Sequence, residues 1–298
     1  MLGIFLSLCV AFLTSLWQVA GKFATKKSEL SHTDEYSLSL WIRVFSSILL
    51  FPTLFFFPFP DALSAQNILL IFVVVVLSTI STTTSLQAVK YGEISVVGPI
   101  WSLALPLLLV TSYIFTGEIP NTAGYFGVLI IFLWLYALEW GIKHGIFHPF
   151  QAIISDRGAK AMLLTTLIQS ITAPLDKIGI ELFWIFPWIF WTSALSLPLL
   201  FGYMKYTGKK IELSEFTQKK YIKKVGILSL LMWGWLVLQM LALKLTLVIY
   251  VIALKRTSGM ISVLLGWLIF KEKDIFHKFI ASAIMFLWIL VIIFFGNI

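Results

Sequence analysis

Leu247 to Phe270 reads LVIYVIALKRTSGMISVLLGWLIF. The stretch is long enough to cross a bilayer as a helix, which takes about 20 apolar residues. Yet Lys255 and Arg256 sit side by side near its middle. A charge at the bilayer centre costs at least ~2.5 kcal/mol on insertion scales. Two adjacent cations therefore need a water-filled cavity, an anionic ligand or a buried counter-ion.

The surrounding sequence is of the same kind. Of its 298 residues, 59% are hydrophobic and 12% charged, and the mean hydropathy is +0.96. Soluble domains carry roughly 25% charge. The composition points to an all-α integral membrane protein in the lipid bilayer. The net charge of +8 is no nucleic-acid footprint, because most lysines lie between apolar spans. Cys9, the single cysteine, excludes a disulfide within the chain. The histidines, His32, His144, His148 and His277, fall in predicted loops. His144 and His148 have metal-ligand spacing, but Pro149 disrupts the helix and no thiolate or carboxylate is adjacent. No metal or other cofactor is expected. Met1-Leu2-Gly3-Ile4 lacks a basic n-region, so the first apolar run is read as a retained helix.

Ten apolar segments can be drawn. The first five are Leu2 to Ala20, Ser37 to Phe57, Asn67 to Ala88, Ile94 to Phe115 and Thr122 to Leu138. The second five are Ala159 to Gly179, Leu182 to Met204, Val225 to Leu243, Thr246 to Phe270 and Phe276 to Phe295. Helix is the expected state, since lipid-exposed backbone must satisfy its own hydrogen bonds. Runs such as Ile71 to Leu77 do not alternate as barrel strands would.

The chain repeats itself. An ungapped shift of 154 residues lays Ala88-Val89-Lys90 on Ala242-Leu243-Lys244, Glu118 on Glu272 and Phe132-Leu133-Trp134 on Phe286-Leu287-Trp288. A nearly equal shift lays Lys22 on Lys177. The predicted halves are residues 1–138 and 159–298, joined by a loop over 139–158. Five helices per half is an odd number, so the second half is inverted, and such folds place the substrate near the midplane.

Five plus five helices, with a glutamate just after the fourth helix of each half, resemble the EamA-type branch of the drug/metabolite transporter superfamily. The residues that carry the likeness are Ala88 to Pro106 with Gly117-Glu118 in the first half. In the second half they are Ala253-Leu254-Lys255-Arg256, Leu265-Gly266 and Phe270-Lys271-Glu272. Lys271 departs from the pattern by standing where a glycine often precedes the second glutamate. The resemblance implies a ten-helix carrier with a central cavity and alternating access, and it implies export. Plastidic phosphate translocators of the same superfamily are similar in having a Lys-Arg pair on the ninth helix, an analogy that favours an anionic solute.

Odd-numbered loops carry Lys22, Lys26, Lys27, Lys90, Lys143 and the cluster from Lys205 to Lys224, whereas even-numbered loops carry only Lys244. The positive-inside rule then puts both termini outside the cytoplasm. Many relatives have the opposite orientation.

Ionisable residues inside the spans are few: Arg43, Asp176, Lys177, Lys255 and Arg256. Lys255 and Arg256 make an anion or carboxylate site, with Arg256 able to form a bidentate contact, or else a structural ion pair. Asp176 and Lys177 form a coupling pair or a neutralised interface pair. Arg43 binds solute or snorkels to the interface. Trp101, which occupies the repeat position of Lys255, is a candidate cavity residue with Trp17, Gln18 and Gln239. Glu118 and Glu272 read as anchors of the helices that follow them.

The leading expectation is a secondary transporter, not an enzyme, acting on small metabolites, amino-acid-like, zwitterionic or anionic. It would sit as a monomer or homodimer in the cell membrane. The alternatives are a membrane-embedded lipid-modifying enzyme, for which no HExxH, GxSxG or carboxylate cluster is present, and a non-transporting scaffold, which leaves Lys255 and Arg256 without a reason.

Overall fold

A computed structural model describes residues 2–25, 35–57, 64–91, 100–139, 155–209, 219–258 and 261. The described residues form nine α-helices: α1 (Leu2–Thr25), α2 (Glu35–Leu50), α3 (Ala65–Tyr91), α4 (Ala104–Thr116), α5 (Thr122–Glu139), α6 (Arg157–Phe183), α7 (Ile185–Tyr206), α8 (Lys219–Leu245) and α9 (Val248–Lys255). No strand occurs among them. Ala65–Ala88, Ile185–Tyr206 and Val225–Leu245 are long and apolar enough to cross a membrane. Leu2–Trp17, Ser39–Phe55, Ile100–Thr116 and Thr122–Leu133 are shorter apolar stretches. The predicted tenth span, Phe276 to Phe295, lies outside the described residues, as do Gly259, Gly266, Lys271, Glu272 and the four histidines.

Local chemistry sets the helix ends. Pro52 ends α2 by turning the chain into a 3-10 helix, Phe51–Phe55, because the residue before proline disfavours the α conformation. Asp156 caps α6 by accepting from the Ala159 amide at 2.6 Å. Asn121 does the same for α5 through the Gly124 amide, 2.8 Å. Gly117 closes α4 at φ 67, the left-handed conformation glycine adopts without strain. Only Trp184 separates α6 from α7, and it holds a φ of 65. Pro174 and Pro198 lie inside α6 and α7, and both helices run past them.

The ninth span corrects the sequence reading. Instead of one helix from Thr246 to Phe270, α9 stops at Lys255. The Arg256 amide is shared between the carbonyls of Ile252 (3.3 Å) and Ala253 (3.1 Å), and the Thr257 amide donates to Leu254 at 3.0 Å. The Thr257 hydroxyl claims the same Leu254 carbonyl at 2.8 Å. Helix resumes at Ser258, and the Ile261 amide returns to the Thr257 carbonyl at 3.2 Å. The fourth span is interrupted at the matching repeat position, at Leu103. There Pro106, one turn on, has no N–H to offer the Ser102 carbonyl.

The helices pack in exchange-related pairs: α1 with α8 and α6 with α3; α4 with α6 and α9 with α1; α2 with α7 and α4 with α9. Three of these pairs run antiparallel. A Cβ on Gly3 would meet Thr246 at 3.1 Å, and one on Gly234 would meet Leu13 at 3.3 Å, which fixes α1 against α8. Arg157 lies over Tyr91 at 4.7 Å and Thr84 bonds Thr165 at 2.7 Å, which fixes α3 against α6. Glu118 meets Val248 and Trp101 meets Arg256, so the start of the α4 segment faces the end of α9. Leu105, Leu108, Trp188, Tyr250, Val251 and Leu254 belong to one buried apolar cluster shared by α4, α7 and α9.

Candidate functional site

Lys255 and Arg256 diverge at the end of α9. Successive helical residues point about 100° apart, and each cation finds its own tryptophan. The Lys255 ammonium lies 4.1 Å from the centroid of the Trp235 ring and donates to Gln239 Oε1 at 2.7 Å. The Arg256 guanidinium carbon lies 3.8 Å from the centroid of the Trp101 ring, and Nη2 reaches the Trp101 carbonyl at 3.5 Å. Cation–π contacts contribute about 0.5 to 2 kcal/mol each, more when desolvated. Trp101 is itself fixed, its indole N–H donating to Gln169 Oε1 at 3.0 Å. Among the described residues no carboxylate forms an ion pair with Lys255. Lys255, Arg256, Trp101 and Gln239 thus form one group. Its members come from α8, from the end of α9 and from the turn of helix before α4.

Hydroxyls of other helices reach carbonyls beside both helix interruptions. Ser15 on α1 donates to the Ser258 carbonyl at 2.8 Å. Thr166 on α6 donates to Ile100 at 3.4 Å. Interrupted helices near mid-depth are where carriers build solute and ion sites.

Asp176 and Lys177 do not pair with each other. Asp176 accepts the Trp188 indole N–H at 2.9 Å and lies within electrostatic reach of Lys255. The Trp188 ring fits over Gly179, where any Cβ would collide with it. Lys177 instead pairs with Glu118 at 2.5 Å and donates to the Thr246 carbonyl at 3.0 Å. The other Glu118 oxygen accepts the Val248 amide at 2.8 Å. Glu118 therefore caps α9, not the following α5, because the N-terminal amides of α9 face it and Asn121 already caps α5. Sequence reasoning missed this three-way contact. Its one signal was the recurrence of both lysine and glutamate in the repeat register.

Arg43 is held by hydroxyls of two other helices. Its guanidinium donates to Ser196 on α7 and Thr82 on α3, both at 2.6 Å. Trp17 packs against Ile42, Val225 and Leu228, and its buried indole N–H has no bond among the described residues. The side chain of Gln18 lies outside the described residues. Among the described residues no group of three His, Cys, Asp or Glu side chains is placed to hold a metal.

Helices long and apolar enough to cross a membrane, with cations held between them, define a multi-pass membrane protein. Residues 1–138 match the model of the EamA-like transporter family. That part of the chain is thus similar to this family, which lies within the drug/metabolite transporter superfamily. No curated protein matches the chain. Among solved structures, one described only as "Crystal structure of protein" is similar at 14% identity and a TM-score of 0.71, over 98% of each chain. At that identity the likeness is one of fold.

Proposed function

We propose that the protein is a secondary carrier that exports a small anionic or zwitterionic metabolite by alternating access. Its ten spans would form two inverted five-helix halves, residues 1–138 and 159–298, linked by 139–158. The antiparallel, exchange-related helix pairs support that arrangement. The observation that carries the solute class is the pair of cations at the end of α9. Lys255 and Arg256 are braced by tryptophans and Gln239, and among the described residues no carboxylate pairs with Lys255.

In this reading Arg256 takes the carboxylate or phosphate of the solute with its planar fork. Lys255 adds a point charge, and Trp101 and Gln239 hold the cations in place. Asp176 carries coupling, since it is the intramembrane acid within reach of Lys255. Lys177 is committed to Glu118. The lysine bias of the loops supports both termini facing away from the cytoplasm.

The test is flux through purified protein in liposomes. Lys255→Gln and Arg256→Gln should each lower flux per folded molecule roughly ten- to a hundredfold, the worth of one charge-assisted contact. Unchanged flux in both variants, with lower thermal stability alone, would assign the pair to structure.

A further inference from the structure

The helix pairs also locate a second cation. Arg43 bonds Ser196, 153 positions later, and Trp101 holds Arg256, 155 positions later. Both separations are within one residue of the 154-residue repeat. A residue that touches the neighbour of its own repeat mate lies close to the two-fold axis relating the halves. Two such contacts therefore mark two points on that axis, one between α2 and α7, the other between α4 and α9. In an inverted repeat the axis lies in the membrane plane. Arg43 is then at the same mid-bilayer depth as Arg256.

The surroundings of Arg43 do not neutralise it. Both hydroxyls that accept its protons pass their own back to their helices: Ser196 to Ser193 at 2.7 Å and Thr82 to Ser78 at 2.8 Å. Each oxygen is thereby fixed as an acceptor, and the guanidinium is held in one pose. A guanidinium has five N–H donors, and these hydroxyls use two. Among the described residues no carboxylate forms an ion pair with Arg43. A charge at mid-depth without a carboxylate is expensive unless it serves a water-filled path or an anion. The α2–α7 pair packs on α3 and α8, and the α4–α9 pair on α1 and α6. On the carrier reading above, Arg43 and Arg256 then stand at two points along that axis.

We infer that Arg43, cradled by Thr82 and Ser196, is a second anion-binding group facing Lys255 and Arg256 across the path, so that the carrier selects solutes with an anionic group at each end. This rests on the carrier reading above and narrows its substrate class to dianions.

The experiment measures binding of succinate and of butyrate, which share a carbon count but differ by one carboxylate, to full-length detergent-purified protein. A ligand that binds only the native state raises apparent stability, so thermal shift gives both affinities. Wild type should prefer succinate. Arg43→Gln should weaken succinate roughly ten- to a hundredfold and leave butyrate unchanged, whereas Arg256→Gln should weaken both. Arg43→Lys should keep part of the preference. Each preference is a ratio within one variant, so a general loss of stability cancels. If Arg43→Gln does not fold, Ser196→Ala, which removes one acceptor, should shrink the ratio in the same direction. An unchanged ratio in the Arg43 variants, or in Ser196→Ala, would make Arg43 a packing residue and overturn the inference. Stabilisation of wild type by neither anion would overturn the anionic-solute reading itself, and the second site with it.

Discussion

The Arg256 guanidinium carbon sits 3.8 Å from the centroid of the Trp101 ring, so a cation of the second half is held by an aromatic of the first. The same tryptophan stands at the repeat position of Lys255. Trp101→Phe keeps a ring face but loses the indole bond to Gln169. Trp101→Ala loses both. Thermal unfolding should rank wild type above Phe and Phe above Ala, with the ring face worth about 0.5 to 2 kcal/mol. Equal stability of the two variants would show that the stacking contributes nothing.

The Lys177–Glu118 pair should behave as a coupled unit. Removing one member leaves a largely buried charge alone and should cost roughly 3 kcal/mol. Glu118→Gln combined with Lys177→Met should cost clearly less than the sum of the singles, since neither charge is then stranded. A double-mutant cycle on thermal stability measures this directly, and additive effects would mean that the two side chains do not depend on each other.

Gly179 gives a steric prediction. A methyl group there collides with the Trp188 ring, which is buried and bonded to Asp176. Gly179→Ala should destabilise the protein by about 1 to 3 kcal/mol, the usual effect of overpacking. Tolerance of alanine would require the indole to move, and the Trp188–Asp176 bond with it.

Most of the helical framework was legible in the sequence. Apolar runs of about bilayer length announce α1 to α3 and α5 to α8, and lysines mark the odd-numbered gaps between them. The interruption of the ninth span was not legible. Hydropathy registers Thr257 as one mild residue and carries nothing about which carbonyl its hydroxyl claims. The prominence of Lys255 and Arg256 was plain, because charge in an apolar run is costly. Their tryptophan partners were half legible: Trp101 through the repeat, Trp235 not at all. The partners of Arg43 lie on other helices, 153 and 39 residues away, and that of Lys177 lies in a connection 59 residues before it. A single sequence states no pairing at such distances.

Orientation can be settled without a ligand. With the lysine-rich odd loops in the cytoplasm, a C-terminal alkaline phosphatase fusion should be active and a C-terminal green-fluorescent-protein fusion dark. The reverse pattern would place both termini inside and show that the loop charges do not set the topology.

Glu118 also imposes an order on biosynthesis. Its carboxylate enters the membrane long before its partners exist: Lys177 is 59 residues downstream and the Val248 amide 130. Translation at roughly 5 to 20 residues per second leaves the carboxylate waiting about 3 to 12 s for its ammonium and about 7 to 26 s for its helix end. Through that interval the nascent chain holds an uncompensated acid at the edge of a finished span. The knot that ties these helices together therefore closes only after α8 has been made.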